Sequence, residues 1–180
     1  MDKLAMAKST WTVGDRFAEF RTPWFTLIGE HIQADDQRLD YWRVEKVDSV
    51  IVLPIQGDRI LLPPALYRPG IGAETLDFPG GRCLDNQPRS DTARQLLQRE
   101  LGIEARAIAT LKPLNSQGWP VNSSFSNQKL YGFVAKLQPG PITHLGSTYS
   151  TDATGIKQLL ADVICLQCRM VLMEWWRSQD

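Results

Sequence analysis

Residues 76–103, LDFPGGRCLDNQPRSDTARQLLQRELGI, constrain the fold more than any other stretch of the chain. An extended Leu76-Asp77-Phe78 runs into a turn at Pro79-Gly80-Gly81 and then into a polar loop through Asp85-Asn86-Gln87-Pro88. Ser90 is the expected helix cap, because a serine hydroxyl accepts a first-turn amide, and Asp91 suits the positive helix end. Ala93, Leu96, Leu97 and Leu101 recur at helical spacing, and Gly102 supplies the stop. The order is strand, glycine turn, loop, short helix.

The flanking chain divides around this stretch. Residues 1–10 are expected to fray. Residues 17–21, 24–32 and 39–44 read as strands, with alternation in Trp24, Thr26 and Ile28 and a polar turn at Ala34-Asp35-Asp36-Gln37. Three such strands are too few for an independent domain and need a covering partner. Residues 49–55 (SVIVLPI) are a buried-strand run, followed by a turn at Gln56-Gly57-Asp58 and a strand at 59–62. Residues 105–111 and 129–137 also read as strands, 115–127 as a polar loop and 138–154 as a Gly-, Pro-, Ser- and Thr-rich loop. Residues 155–177 are helical by periodicity, with a break near Asp162. The expected division is a strand unit at 1–46 and a main domain at 47–180.

Charge and composition exclude several classes. Twenty basic and twenty acidic residues give a net charge of zero, whereas a phosphate-backbone binder needs a basic excess. No apolar run reaches the length of a membrane span, and MDKLAMAKST has no signal-peptide core, so a cytoplasmic protein is expected, without nucleic acid or membrane partners. Of the three cysteines, Cys165 and Cys168 form a lone C-x-x-C in an apolar helical context, expected to pack as small hydrophobes.

Laid from Gly81, residues 81–103 resemble the signature of the Nudix family, G-x5-E-x7-R-E-U-x-E-E-x-G-U, with U aliphatic. Gly81 and Gly102 take the glycine positions, and Leu97 and Ile103 the aliphatic ones. Gln87 stands at the first glutamate, Gln95-Leu96 at the Arg-Glu pair and Arg99-Glu100 at the Glu-Glu pair. One carboxylate of the family's four is kept. The resemblance implies an α/β fold, a mixed sheet sandwiched between helices, with the strand unit attached. In the family, carboxylates on one helix face hold a divalent metal against a diphosphate, since magnesium takes oxygen ligands and bridges phosphates. Here that face presents Leu96, which cannot ligate, Arg99, which repels a cation, and Glu100. Arg99 is expected to pair with Glu100 or to reach a phosphate directly. Either no cofactor or Mg2+ weakly held through Glu100 is implied, with Glu100 the residual catalytic and metal residue.

Over nearly the whole chain the order of elements is similar to the ADP-ribose and ADP-sugar diphosphatases. Tyr67-Arg68-Pro69 matches that branch's Q-[YF]-R-P, with Leu66 for the glutamine. Asp77-Phe78-Pro79-Gly80-Gly81 matches its E-x-P-A-G, with Asp77 for Glu and Gly80 for Ala. Trp24 and Trp42, one on each arm of the N-terminal hairpin, are the third feature. In some members, tryptophans so placed stack adenine from both faces across a dimer interface, an interaction of roughly 1–3 kcal/mol per base. Tryptophans on a small strand unit serve equally as core or interface anchors. Both readings bury the unit in a homodimer.

By the resemblance, Arg68 lies near the substrate diphosphate; by the residues alone, it is a surface arginine at a strand end. Gly80 and Gly81 let backbone approach a ligand, as a tight turn also requires. The loop before the last helix offers His144 and Asp152 where the branch uses an acidic residue, and Asp152 equally suits a helix cap. The substrate-binding set is therefore Trp24, Trp42, Arg68, Asp77, Gly80, Gly81 and Arg99. The expected function is binding of an ADP-ribose-like nucleoside diphosphate, with metal-dependent hydrolysis impaired or lost. The rivals are an active divergent hydrolase, holding one metal through Glu100, Asp77 and the Gly80 carbonyl, and a non-catalytic scaffold.

Overall fold

The structure, a computed structural model, describes residues 11–83, 87–140 and 146–179. Residues 1–10, the loop residues Asp85 and Asn86, and His144 lie outside the described residues. The chain folds as two compact units, Met1–Lys46 with Asn122–Gln128, and Val47–Val121 with Lys129–Asp180.

In the first unit, β1 (Trp11–Arg21), β2 (Thr26–Ala34) and β3 (Gln37–Glu45) form an antiparallel sheet in that order. Ile28 and Ile32 of the central strand are buried, and so is Glu30, which Arg43 on β3 meets at 2.5 Å. Residues 122–128, expected as plain loop, return to this unit. Val44 donates its amide to the Phe125 carbonyl at 2.7 Å, and Asn127 Oδ1 accepts the Lys46 amide at 2.8 Å.

Trp24 does not lie on a strand arm, because β2 begins only at Thr26. Pro23 has no amide for a ladder, and the Thr22 hydroxyl accepts the Trp24 and Phe25 amides at 3.1 and 3.0 Å, which closes a turn instead.

The second unit contains β4 (Ser49–Gln56), β5 (Arg59–Leu62), β6 (Leu66–Arg68), β7 (Ala73–Thr75), β8 (Gly80–Arg82) and α1 (Arg89–Leu101). A 3-10 turn at Ala105–Ala107 precedes β9 (Ile108–Pro113), β10 (Trp119–Pro120), β11 (Lys129–Leu137), β12 (Ser147–Ser150), α2 (Ala153–Asp162) and α3 (Leu166–Arg177). The sheet runs β10-β11-β4-β5-β12, with β8 added to β4 and β9 to β11. It is mixed, since β11 and β4 are parallel and the β4–β5 and β4–β8 pairs antiparallel. Strand β4 is buried on both faces. Val50 and Val52 pack with Ala93, Leu96 and Leu97 of α1, while Ile51, Leu53 and Ile55 pack with Leu159, Val171 and Leu172 of α2 and α3. A fully buried aliphatic side chain of this kind contributes roughly 1.5–3 kcal/mol, so this strand anchors both layers.

Three local expectations are corrected. Ser90 does not cap α1; the helix starts at Arg89 behind Pro88, whose backbone is extended and which forms no side-chain cap bond. Ser90 falls inside the first turn, past the position where a side chain caps the helix. Leu76-Asp77-Phe78 is not a strand, and the turn expected at Gly80-Gly81 is itself one. Gly80 and Gly81 lie opposite Ile51 and Val50 of β4, because pairing to a buried neighbour overrides the turn preference of glycine. Other expectations hold. Gly102 ends α1 at φ 67°, donating to the Gln98 carbonyl, and Asp152 caps α2 through the Gly155 amide at 2.8 Å. The tail helix breaks after Asp162. Among the described residues no helix is long and apolar enough to cross a membrane.

Candidate diphosphate site

Strand β8 and the last turn of α1 meet because Gly81 has no side chain. A Cβ there would stand 2.8 Å from Leu96 Cδ2 and 3.4 Å from an Arg99 Nη atom. Leu96, expected on the metal-binding face, is spent on this contact and is buried. One turn on, the Gly80 amide donates to Glu100 Oε2 at 3.3 Å, and Arg99 Nη2 donates to the Gly80 carbonyl at 3.2 Å. Arg99 also forms an ion pair with Glu100 Oε1 while its side chain stays 64% exposed. The two charged residues thus clasp the glycine backbone.

A hard divalent cation at this place needs several oxygens. Glu100 spends one oxygen on the Gly80 amide and the other on Arg99, and the Gly80 carbonyl accepts from the same guanidinium. The residues present do not fit magnesium. A cation at Glu100 competes with the Arg99 guanidinium for the same carboxylate.

Arg68 and Asp77 form a separate pair. Arg68 Nη2 lies 2.7 Å from Asp77 Oδ2, and the Thr75 hydroxyl donates to the same oxygen at 2.8 Å. The other oxygen, Oδ1, accepts from the Cys168 thiol at 3.8 Å. The structure therefore brings Glu100 together with Gly80, Gly81 and Arg99, and Asp77 together with Arg68. No metal-capable group of three donors among the described residues includes Glu100. The contact of Cys168 with Asp77 has no sequence signal, since 91 residues separate them. Its bond with Cys168 draws the Cys165 thiol below the usual thiol range, and the same bond with burial pushes Cys168 up.

In the first unit, Trp42 lies opposite Gly29 in the ladder, with Phe17 set edge-on to its ring at 5.3 Å. A Cβ on Gly29 would stand 2.6 Å from the Phe17 ring, so the glycine makes room for this aromatic pair. Trp42 is 47% exposed and Trp24 62%.

A mixed sheet between helices, carrying a glycine strand against the end of α1, is the Nudix-type α/β fold. A crystal structure of an ADP compounds hydrolase is similar to the chain across 96% of its length and 97% of that protein's, at 20% identity and a TM-score of 0.76. At that identity the likeness is one of fold. No protein-family model matches the sequence, and no curated protein matches it.

Proposed function

We propose that the chain binds an ADP-ribose-like nucleoside diphosphate and that metal-dependent hydrolysis is impaired or lost. The observation that carries this is the Arg99 clasp, a guanidinium on the Gly80 carbonyl and the Glu100 carboxylate. A cation that bridges phosphates is replaced by a group that binds them directly, because a guanidinium fork matches phosphate oxygens. The ligand class draws support from the similar fold of an ADP compounds hydrolase.

In this proposal Arg99 and Arg68 meet the diphosphate, Asp77 orients Arg68, and Gly80 and Gly81 let the backbone come close. Glu100 holds Arg99 and keeps whatever hydrolytic capacity is left. Trp24 and Trp42 are the adenine plates. Stacking from both faces draws them from two copies of the chain, so the proposal includes a homodimer, working in the cytoplasm.

Calorimetry with ADP-ribose, in EDTA and then in magnesium, tests it. Equal binding in both is expected, without release of AMP, and at a hundredfold excess over Kd the ligand stabilises the protein by about 2.7 kcal/mol. Arg68→Ala weakens ADP-ribose more than adenosine, and Trp42→Ala weakens both. Magnesium-dependent turnover that Glu100→Gln abolishes would establish an active hydrolase instead. Absence of heat with every adenine nucleotide would leave a scaffold.

A further inference from the structure

The C-x-x-C of the tail packs as expected, Cys168 within the core and Cys165 against it, but it does not stand alone. The chain turns at Cys165, the residue before α3, and places Cys168 in the first turn of that helix. Both thiols come to lie beside Asp77, from the segment between β7 and β8. The three donor atoms all lie within 4.8 Å of one another.

We propose that Asp77, Cys165 and Cys168 form a binding site for a divalent cation of the zinc class, with the fourth position open to water. The distances carry it first. With zinc–sulfur bonds of about 2.3 Å and zinc–oxygen bonds of about 2.0–2.2 Å, a tetrahedral site sets sulfur and oxygen about 3.6 Å apart. Cys168 Sγ and Asp77 Oδ1 stand at 3.8 Å, close to that spacing, and the Cys165 sulfur lies within 4.8 Å of both.

The support around the carboxylate carries it second. Thr75 and Arg68 both hold Asp77 Oδ2, at 2.8 and 2.7 Å, which leaves Oδ1 turned toward the sulfurs. Outer hydrogen bonds that fix a ligating carboxylate in this way are usual at metal sites. Thiolates select zinc over magnesium, and both thiols release their protons to solvent on binding. Two thiolates and a carboxylate around a dication leave one negative charge, which Arg68 balances. Cys168 is fully buried and Cys165 half-buried, so the site is lined by protein on one side and reachable from the other. The bound cation ties the start of α3 to a segment 91 residues earlier in the chain.

The test uses the full chain, reduced and stripped with EDTA, titrated with Co2+ and then Zn2+. One equivalent of cobalt is expected to raise a sulfur-to-metal charge-transfer band that zinc displaces, with a zinc-dependent rise in Tm that magnesium does not produce. Cys165→Ser, at the half-buried position, loses most of the band. Asp77→Asn keeps a band but binds at least about tenfold more weakly, and Arg68→Met, which removes the guanidinium that holds the carboxylate without ligating the metal, loses about 10–100-fold in affinity with the band unchanged. Cys83→Ser changes nothing. The proposal is overturned if the folded, reduced chain gives no band, if Cys165→Ser leaves it intact, or if Asp77→Asn binds zinc as tightly as the parent. A Cys165–Cys168 disulfide that takes up no cobalt once reduced overturns it in favour of a redox pair.

Discussion

Replacing Arg43 with alanine should invert the pH dependence of the first unit's stability. Glu30 is 2% exposed on the central strand, and its carboxylate is held by Arg43 through two contacts, at 2.5 and 3.2 Å. The Arg43 bond holds the Glu30 carboxyl below its ordinary value, against burial, which works the other way. A depressed carboxyl contributes stability that is present above the unfolded value, near 4.5, and is lost as pH falls through the lower folded value. Without Arg43, burial outweighs the remaining charge of Arg16 and the Glu30 pKa rises, so the variant loses stability as pH climbs toward neutral.

Breaking a buried pair from one side costs roughly 3–5 kcal/mol. Arg43 is 25% exposed and also serves Glu45, so water and rearrangement reduce that here to roughly 2–3 kcal/mol. For a chain of this size the fall in Tm is roughly 5–10 °C at pH 7. Urea unfolding followed by tryptophan fluorescence at pH 7 and pH 4 measures it, with Glu30→Gln and the double variant completing the cycle. The penalty should shrink to about 1 kcal/mol or less at pH 4, where Glu30 takes up a proton. A loss under about 0.5 kcal/mol at pH 7, or an equal loss at both pH values, refutes the reasoning. The strands this pair joins are the ones that carry Trp42 and its partner Gly29.

Gly102→Ala places a side chain at φ 67° and should cost roughly 1–2 kcal/mol, read from the urea midpoint. Gly29→Ala drives a methyl into the Phe17 ring, so a loss of roughly 1–3 kcal/mol with a shift in tryptophan emission is expected. Arg99→Ala removes a largely exposed ion pair and should change stability by less than about 1 kcal/mol by thermal melting. The same variant should weaken ADP-ribose in calorimetry without weakening adenosine.

What the sequence by itself determined are the elements whose signals are local. The apolar run of β4, the helical spacing of Ala93, Leu96, Leu97 and Leu101, the stop at Gly102 and the cap at Asp152 each depend on residues a few positions apart. The mixed sheet between helices was not read from local signals; it was implied by the resemblance of residues 81–103 to a family signature. At the candidate site, the pairing of Arg99 with Glu100 was one of two alternatives the sequence left open, and the fold shows that pair. Tertiary structure decided the rest. Gly80 and Gly81 became strand because β4 offered a buried edge, and Trp24 left its strand because Thr22 closed a turn. Residues 122–128 returned to β3 through backbone bonds that carry no side-chain signature. Asp77 faces Arg68 on one side and Cys168 on the other, and only the folded chain brings donors 91 residues apart within bonding reach.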